Sequence, residues 1–292
     1  MTVVNKLPFL ASEERVHLVI GYTAFFLPLI LWGMTFTGFS CFPASISHFY
    51  YIPIAGELFV GALAFIGMCM VFVYRVDTAA HRYTLDVLLT RLAGVCAICV
   101  AIFPTRGTGC RLDGETQRLF LSNAQGGFDL AQTLLPQSKQ NSLCGGLEQN
   151  AQAVSGDSSA MQGCLHTDLM THLGVQSLFW TNFHYVAAAL LFSILFYFTL
   201  IVFRRVQIET DCINGVLIPQ KVRRNRIYFW CSMLLSLAMI AIGAATVSEW
   251  YLGHLAPWWE QYRLTFVFEA IGLTAFGMAW LVKGRFVPWL VS

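Results

Sequence analysis

Three ionisable residues stand near the starts of long hydrophobic runs, and they are the first candidates for chemistry. They are Glu57, His184 and Glu269. An ionisable side chain is costly in hydrocarbon, so such a residue usually faces the interior of a helix bundle and marks a functional site. The polar segment SISHFYY, just before Glu57, adds Ser45 and His48. These five residues predict a polar pocket.

The residue types in this pocket point to hydrolysis by one of two routes. His184, Glu269 and Glu57 could be ligands of a zinc ion whose open position holds an activated water. Without a metal, a glutamate and a histidine could act as general acid and base, with Ser45 or Ser47 as nucleophile. No HExxH or GxSxG motif surrounds these residues. The choice between the two routes therefore stays open.

Two other interpretations involve no hydrolysis. One is a haem held between His48 and His184. The other is structural: Glu269 and His184 hydrogen-bond across the helix bundle, and Glu57 lies among the lipid headgroups.

The composition shows which kind of protein must position these residues. The chain has 292 residues, of which 57% are hydrophobic and only 12% charged, and its mean hydropathy is +0.61. Soluble domains usually contain about 25% charged residues. Most of the exterior must therefore face lipid. The net charge of +2 is small and its basic residues are spread along the chain, which argues against nucleic acid as a partner.

Six stretches are long enough to cross a membrane, since a helix needs about 20 apolar residues to span about 30 Å of hydrocarbon. We predict an all-α integral membrane protein, a six-helix bundle, with spans at 17–36, 54–74, 86–104, 179–203, 227–247 and 263–282. The chain then divides into 1–104 with spans one to three, the loop 105–178, and 179–292 with spans four to six.

The basic residues predict the orientation. Most of the 18 lysines and arginines fall in the tails and loops on one side, including the KVRRNR run after span four. Because cytosolic loops carry an excess of Lys and Arg, both termini are predicted to be cytoplasmic. Spans two, four and six then run inward, so that Glu57, His184 and Glu269 lie at a similar depth in the outer leaflet. Thr105 ends span three at the same level.

Four cysteines fall in the segments assigned to the outside. These cysteines are Cys41, Cys110, Cys144 and Cys164. We predict that they form two disulfides, and all three possible connectivities stay open. The loop 105–178 is long and rich in Gly, Ser, Gln and Asn. It is expected to form an extracytoplasmic cap, with an inert insertion as the alternative.

Five segments of the chain resemble known six-span proteins. The segments SISHFYY…GELFVGALAFIG, RLAGVCAICVAIFPT, FHYVAAALLFSILFYFTL, RNRIYFWCSMLLSLAMI and FVFEAIGLTAFGMAWLVKG are similar to a widespread group of uncharacterised bacterial membrane proteins. The order of elements also resembles the DRAM-like family and its relatives that remodel glycosylphosphatidylinositol lipids. The positions that match this second pattern are Ser45, His184, Arg226 and Glu269. The resemblance covers the six spans but not 106–178, and it implies a lipid-related role in a bacterial inner membrane.

From the residues and the resemblance together, we expect a membrane protein that hydrolyses or modifies a lipid in an outer-leaflet pocket. A non-enzymatic alternative is an accessory subunit or scaffold that binds a partner membrane protein through the external loop. A third is a small-solute or ion pathway. It is the least favoured, because the inner halves of the spans carry no line of polar residues.

Overall fold

The structure is a computed structural model, and it describes residues 13–38, 40–52, 54–73, 84–103, 105, 177–205, 212–213 and 215–286. Cys110, Cys144 and Cys164 lie outside these residues, as does nearly all of the loop 105–178. The cap and the pairing of its cysteines therefore stay predictions from the sequence.

The regular elements of the described chain are helices and one short hairpin. The helices are α1 (Glu13–Met34), α2 (Ala55–Met68), α3 (Thr84–Ile102), α4 (Ser177–Tyr197), α5 (Pro219–Leu252), α6 (Pro257–Gln261) and α7 (Leu264–Lys283). A 3₁₀ helix (Ser47–Tyr51) precedes α2, and π-helical turns extend α2 (Cys69–Val73) and α4 (Phe198–Val202). The strands Cys212–Ile213 and Val216–Leu217 pair antiparallel between α4 and α5.

Six of these helices are long and apolar enough to span a membrane, which confirms the six-span prediction. They are Glu14–Met34, Ala55–Val73, Leu85–Ile102, Phe183–Val202, Pro219–Leu252 and Leu264–Lys283. The fifth is longer than the predicted span 227–247 at both ends. Pro219 fits the first turn of a helix, where its missing N–H is not needed. Gly253, with φ of 76°, ends α5 in the left-handed conformation.

The six spanning helices form a closed ring. Helix α1 contacts α2 and α7, α3 contacts α2 and α4, and α5 contacts α4 and α7. The α1–α2 connection and α6 lie at one end of the ring, called the loop end below. The α4–α5 connection lies at the other, called the basic end. Buried aromatic side chains fill the core towards the basic end, and they include Phe203, Tyr228 and Trp280.

A polar network joins three helices at the basic end. Arg205 Nη1 contacts Asp86 Oδ2 at 2.6 Å, and the Tyr197 hydroxyl donates to Asp86 Oδ1 at 3.1 Å. Lys221 Nζ donates to the carbonyl oxygens of Phe203 at 3.1 Å and Arg205 at 2.8 Å. Lys221 therefore supplies donors to carbonyl groups at the end of α4, where the helix has no N–H to offer them.

Glycines let α1 and α7 approach each other closely. A Cβ added to Gly277 would lie 2.5 Å from Phe25 N and 2.8 Å from Gly21 O. A Cβ added to Gly21 would lie 2.8 Å from Leu281 N. Small residues at such crossings bring backbones into contact, which is a main source of helix association in membranes.

The substitution Gly277→Ala should therefore weaken the α1–α7 contact. We expect the free energy of unfolding to fall by about 1–3 kcal/mol, because the backbone of α1 cannot yield as a flexible side chain can. Gly61→Ala is the matched control, since nothing lies within 4 Å of a Cβ there. Thermal unfolding of the purified protein in detergent measures both variants. Equal midpoints for the two would contradict the close contact.

Candidate functional site

The α1–α2 loop (residues 40–52) folds back into the loop end of the bundle. Its Phe49 and Tyr51 are buried, and the Phe49 ring lies 6.1 Å from that of Phe266 on α7. A Cβ added to Gly56 would lie 2.5 Å from the carbonyl oxygen of Tyr50, so the start of α2 packs directly on the loop backbone. Burial of these aromatic side chains explains why a polar segment enters the bundle.

Glu269 on α7 holds this loop by its backbone. The Ile46 N–H donates to Glu269 Oε2 at 2.5 Å, and the Ser47 hydroxyl is 3.4 Å from Glu269 Oε1. The backbone N–H of Ser47 also donates to the carboxylate. One turn earlier on α7, the Phe266 N–H donates to the Ala44 carbonyl oxygen at 3.0 Å. The carboxylate thus accepts N–H groups at the start of the 3₁₀ helix, which no helical carbonyl can reach.

Ser45 and His48 form a hydrogen-bonded pair within the loop. Ser45 Oγ lies 2.5 Å from His48 Nδ1 and accepts the His48 backbone N–H at 3.2 Å. Ser45 is only 4% exposed. With the imidazole proton on Nε2, a tautomer that we assign from this contact, the serine hydroxyl donates to Nδ1. A hydroxyl next to an imidazole acceptor is the arrangement of an activated nucleophile and its base.

His184 lies at the same end, where α3 and α4 meet. Its Nδ1 is 2.6 Å from the Phe103 carbonyl oxygen, and its side chain is 3% exposed. A carbonyl only accepts, so Nδ1 carries the proton and Nε2 of the neutral ring is an acceptor. His184 also interacts electrostatically with His48. The structure therefore brings Ser45, His48, His184 and Glu269 to one end of the bundle.

Hydrogen bonds through Thr105 extend this polar cluster from the loop to α4. The Tyr51 hydroxyl donates to the Thr105 carbonyl oxygen at 2.5 Å, and Thr105 Oγ1 donates to the Tyr185 hydroxyl at 2.8 Å. Burial raises the pKa of Tyr51, and the neighbouring Tyr50 and Tyr185 raise it further. The Tyr51 hydroxyl therefore stays protonated and available as a donor.

Two partners in this cluster were missed by the sequence analysis. Tyr185 directly follows His184, but an aromatic residue near the end of a span is usually part of the interfacial belt. The Phe103 carbonyl carries no signal in the sequence, because every residue has a backbone carbonyl.

Glu57 does not share the environment of the other candidates. Its side chain is exposed in the first turn of α2, whereas Ser45 and His184 are buried. The position of Glu57 in the sequence correctly predicts the end of the bundle at which it lies. The rotation of α2 about its axis, however, turns the side chain outward.

The predicted zinc ligands are not assembled. Among the residues that the structure describes, which include His184, Glu269 and Glu57, no three His, Cys, Asp or Glu side chains are arranged to hold a metal ion. The physical reason lies in their partners. Glu269 accepts backbone N–H groups, His184 Nδ1 is bonded to a carbonyl, and Glu57 is exposed.

These features define a helical protein with six candidate membrane spans and a polar cluster at one end. No protein-family model, curated protein or solved structure matches the chain. The resemblance to bacterial six-span proteins and to the DRAM-like family therefore stays a prediction from the sequence.

Replacing Glu269 tests its role in holding the loop. Glu269→Ala leaves the Ile46 and Ser47 N–H groups without their acceptor, which costs about 1–3 kcal/mol for each buried group. We expect a lower unfolding temperature and faster amide hydrogen exchange in residues 44–52. Glu260→Ala on α6 is the control, because Glu260 is exposed and such a substitution changes stability by about 0.5 kcal/mol or less. Unchanged exchange in residues 44–52 of Glu269→Ala would contradict the role.

Proposed function

We propose that the protein acts on a lipid of the outer leaflet, with Ser45 as nucleophile and His48 as general base. The observation that carries the proposal is the 2.5 Å contact between Ser45 Oγ and His48 Nδ1 in a buried loop. Glu269 is a positioning residue in this proposal, because it accepts the N–H of Ile46 and contacts the Ser47 hydroxyl, directly after the serine. The reaction class is cleavage or transfer of a lipid acyl ester.

The chemical step follows from the groups present. Ser45 Oγ attacks the ester carbonyl carbon while His48 Nδ1 takes the hydroxyl proton. The bond between the carbonyl carbon and the alcohol oxygen then breaks, and His48 returns the proton to the leaving alcohol. The acyl group, now on Ser45, passes to water in a hydrolase or to a second alcohol in a transferase. His48 deprotonates that acceptor in the same way.

A lipid substrate is supported by the depth of the cluster. Four exposed aromatic side chains lie at the same end of the bundle, as is typical of a membrane interface. These side chains belong to Trp250, Tyr251, Trp258 and Tyr262. Glu269 lies five residues after the start of α7, or about 7–8 Å deeper at 1.5 Å per residue. Ester bonds of glycerolipids lie just below the headgroups, at a comparable depth. The resemblance to lipid-remodelling proteins points to the same class of substrate.

The proposal includes the orientation predicted from the basic residues. Both termini would then be cytoplasmic in a bacterial inner membrane, and the loop end would face the periplasm. A cysteine introduced beside Trp250 tests this orientation. A membrane-impermeant maleimide should label it in intact spheroplasts, and a cysteine that stays unlabelled would indicate the opposite orientation.

Substitution of the serine–histidine pair tests the chemistry. We expect Ser45→Ala and His48→Gln each to reduce release of acyl chains from phospholipid vesicles by about 10³-fold or more, because the two residues act as a unit. Ser47→Ala is the matched control, since Ser47 contacts Glu269 and not the imidazole. Mass spectrometry of released fatty acids and labelling of Ser45 by a fluorophosphonate are the measurements. Equal labelling of the wild type and Ser45→Ala would refute the nucleophile.

A second proposal is non-enzymatic, and the state of Cys41 favours it. The free cysteines of the described residues are Cys69, Cys96, Cys99 and Cys231, and Cys41 in the α1–α2 loop is not among them. We infer that Cys41 forms a disulfide with the external segment 105–178, as the sequence predicts, and that this segment docks a partner membrane protein. The protein would then be an accessory subunit or scaffold.

Deletion of residues 106–176 separates the two proposals. An accessory subunit should lose a stoichiometric partner on purification from its native membrane, whereas the Ser45–His48 enzyme should keep its labelling by fluorophosphonate. A Cys41→Ser variant serves as the control for the disulfide alone. Purification of the full-length chain without a stoichiometric partner would rule out the accessory role.

A further inference from the structure

The KVRRNR run at the start of α5 divides into inward and outward cations. Lys221 and Arg224, three residues apart, are buried, whereas Arg223 and Arg226 are exposed. This division follows the helical period, because residues three or four apart share a face. Lys221 has a structural role at the end of α4, through its bonds to Phe203 O and to another carbonyl. The two exposed arginines do not take part in these bonds.

Another exposed arginine, Arg204 at the end of α4, approaches the exposed face of α5. The guanidinium carbon of Arg204 lies 5.8 Å from the centre of the Phe229 ring. Arg226 precedes Phe229 by one helical turn, a spacing that puts Cβ atoms about 5–6 Å apart. Arg204 therefore lies over the Phe229 ring, and Arg226 shares the face of α5 that carries this ring.

No carboxylate neutralises this pair within the described part of the chain. The ion pairs there join Asp86 to Arg205 and Glu14 to Arg285, and neither involves Arg204 or Arg226. Both side chains are exposed. Among the described residues the pair thus has no carboxylate partner, and its donors suit a phosphate, to which guanidinium binds through two parallel N–H bonds.

The depth of the pair matches that of lipid phosphates. Helix α5 has 34 residues, or about 51 Å at 1.5 Å per residue, against about 30 Å of hydrocarbon. Its apolar stretch begins at residue 227, so Arg226 lies at the hydrocarbon boundary. Trp230, 61% exposed, packs against Phe229 with ring centres 5.8 Å apart. Leu234 and Leu237 continue the exposed apolar face from there into the hydrocarbon.

We propose that Arg204, Arg226 and Phe229 form a binding site for the phosphate of an anionic phospholipid. The acyl chains would lie along Leu234 and Leu237. The positive-inside rule assigns this end to the cytoplasmic leaflet. The site is at the opposite end of the bundle from Ser45 and does not depend on the proposed lipid chemistry there.

Lipid binding to the purified full-length protein tests this site. Native mass spectrometry in detergent compares phosphatidylglycerol with phosphatidylcholine, and the wild type should bind phosphatidylglycerol more tightly. Arg204→Gln and Arg226→Gln should each weaken that binding about fivefold, and the double variant about 25-fold. Arg91→Gln is the matched control, since Arg91 is an exposed cation on α3 away from this ring.

Three further arms decide the interpretation. Arg204→Lys with Arg226→Lys keeps the charge but loses paired N–H donors, so its affinity should fall between the wild type and the double Gln variant. This variant also provides a folded comparison if the Gln variant is unstable. Inorganic phosphate alone should not displace the lipid, and displacement would identify a site for free phosphate instead. Equal affinity of the wild type for the two lipids, or an equal loss in Arg91→Gln, would overturn the proposal.

Discussion

The contact between Glu269 and the α1–α2 loop determines the arrangement of the whole loop end. A peptide N–H that enters a bundle in a membrane must find an acceptor inside the protein, because no water is available in hydrocarbon. Glu269 accepts such groups from Ile46 and Ser47, and α7 adds the bond from Phe266 N to Ala44 O. These contacts let a polar segment lie among buried aromatic side chains. The geometry of Ser45 and His48 follows from the position of that segment.

The two ends of the bundle use polar groups differently. At the basic end, Asp86, Tyr197, Arg205 and Lys221 bond to one another or to backbone carbonyls at the end of α4, so the network joins three helices. At the loop end, His184 keeps one ring nitrogen as an acceptor and Ser45 has a base beside it. Groups with remaining capacity for hydrogen bonding or proton transfer are the ones that can take part in chemistry, which favours the loop end as the reactive site.

The sequence predicted the number of spans and the end of the bundle at which the candidates lie, because long apolar runs are a strong signal and helix direction alternates. It did not predict which candidates face inward. The exposure of Glu57 depends on the rotation of α2, and the predicted zinc ligands are not brought together because Glu269 and His184 bond to backbone groups. Backbone partners look alike at every position of a sequence. The length of α5 was also missed, because its first turns are basic and hydropathy alone ended the span at residue 227.

The contact of α1 with α7 has a consequence for biosynthesis. Helices α1 and α7 pack backbone to backbone at Gly21 and Gly277, so the ring closes only after α7 has left the ribosome. Until then α1 has no partner on that face, and the α1–α2 loop lacks the acceptor that Glu269 provides. The helices synthesised before α7 therefore form an incomplete bundle until α7 is available. A chain that stops before α7 would leave the Ile46 N–H without its acceptor and the α1 backbone at Gly21 uncovered.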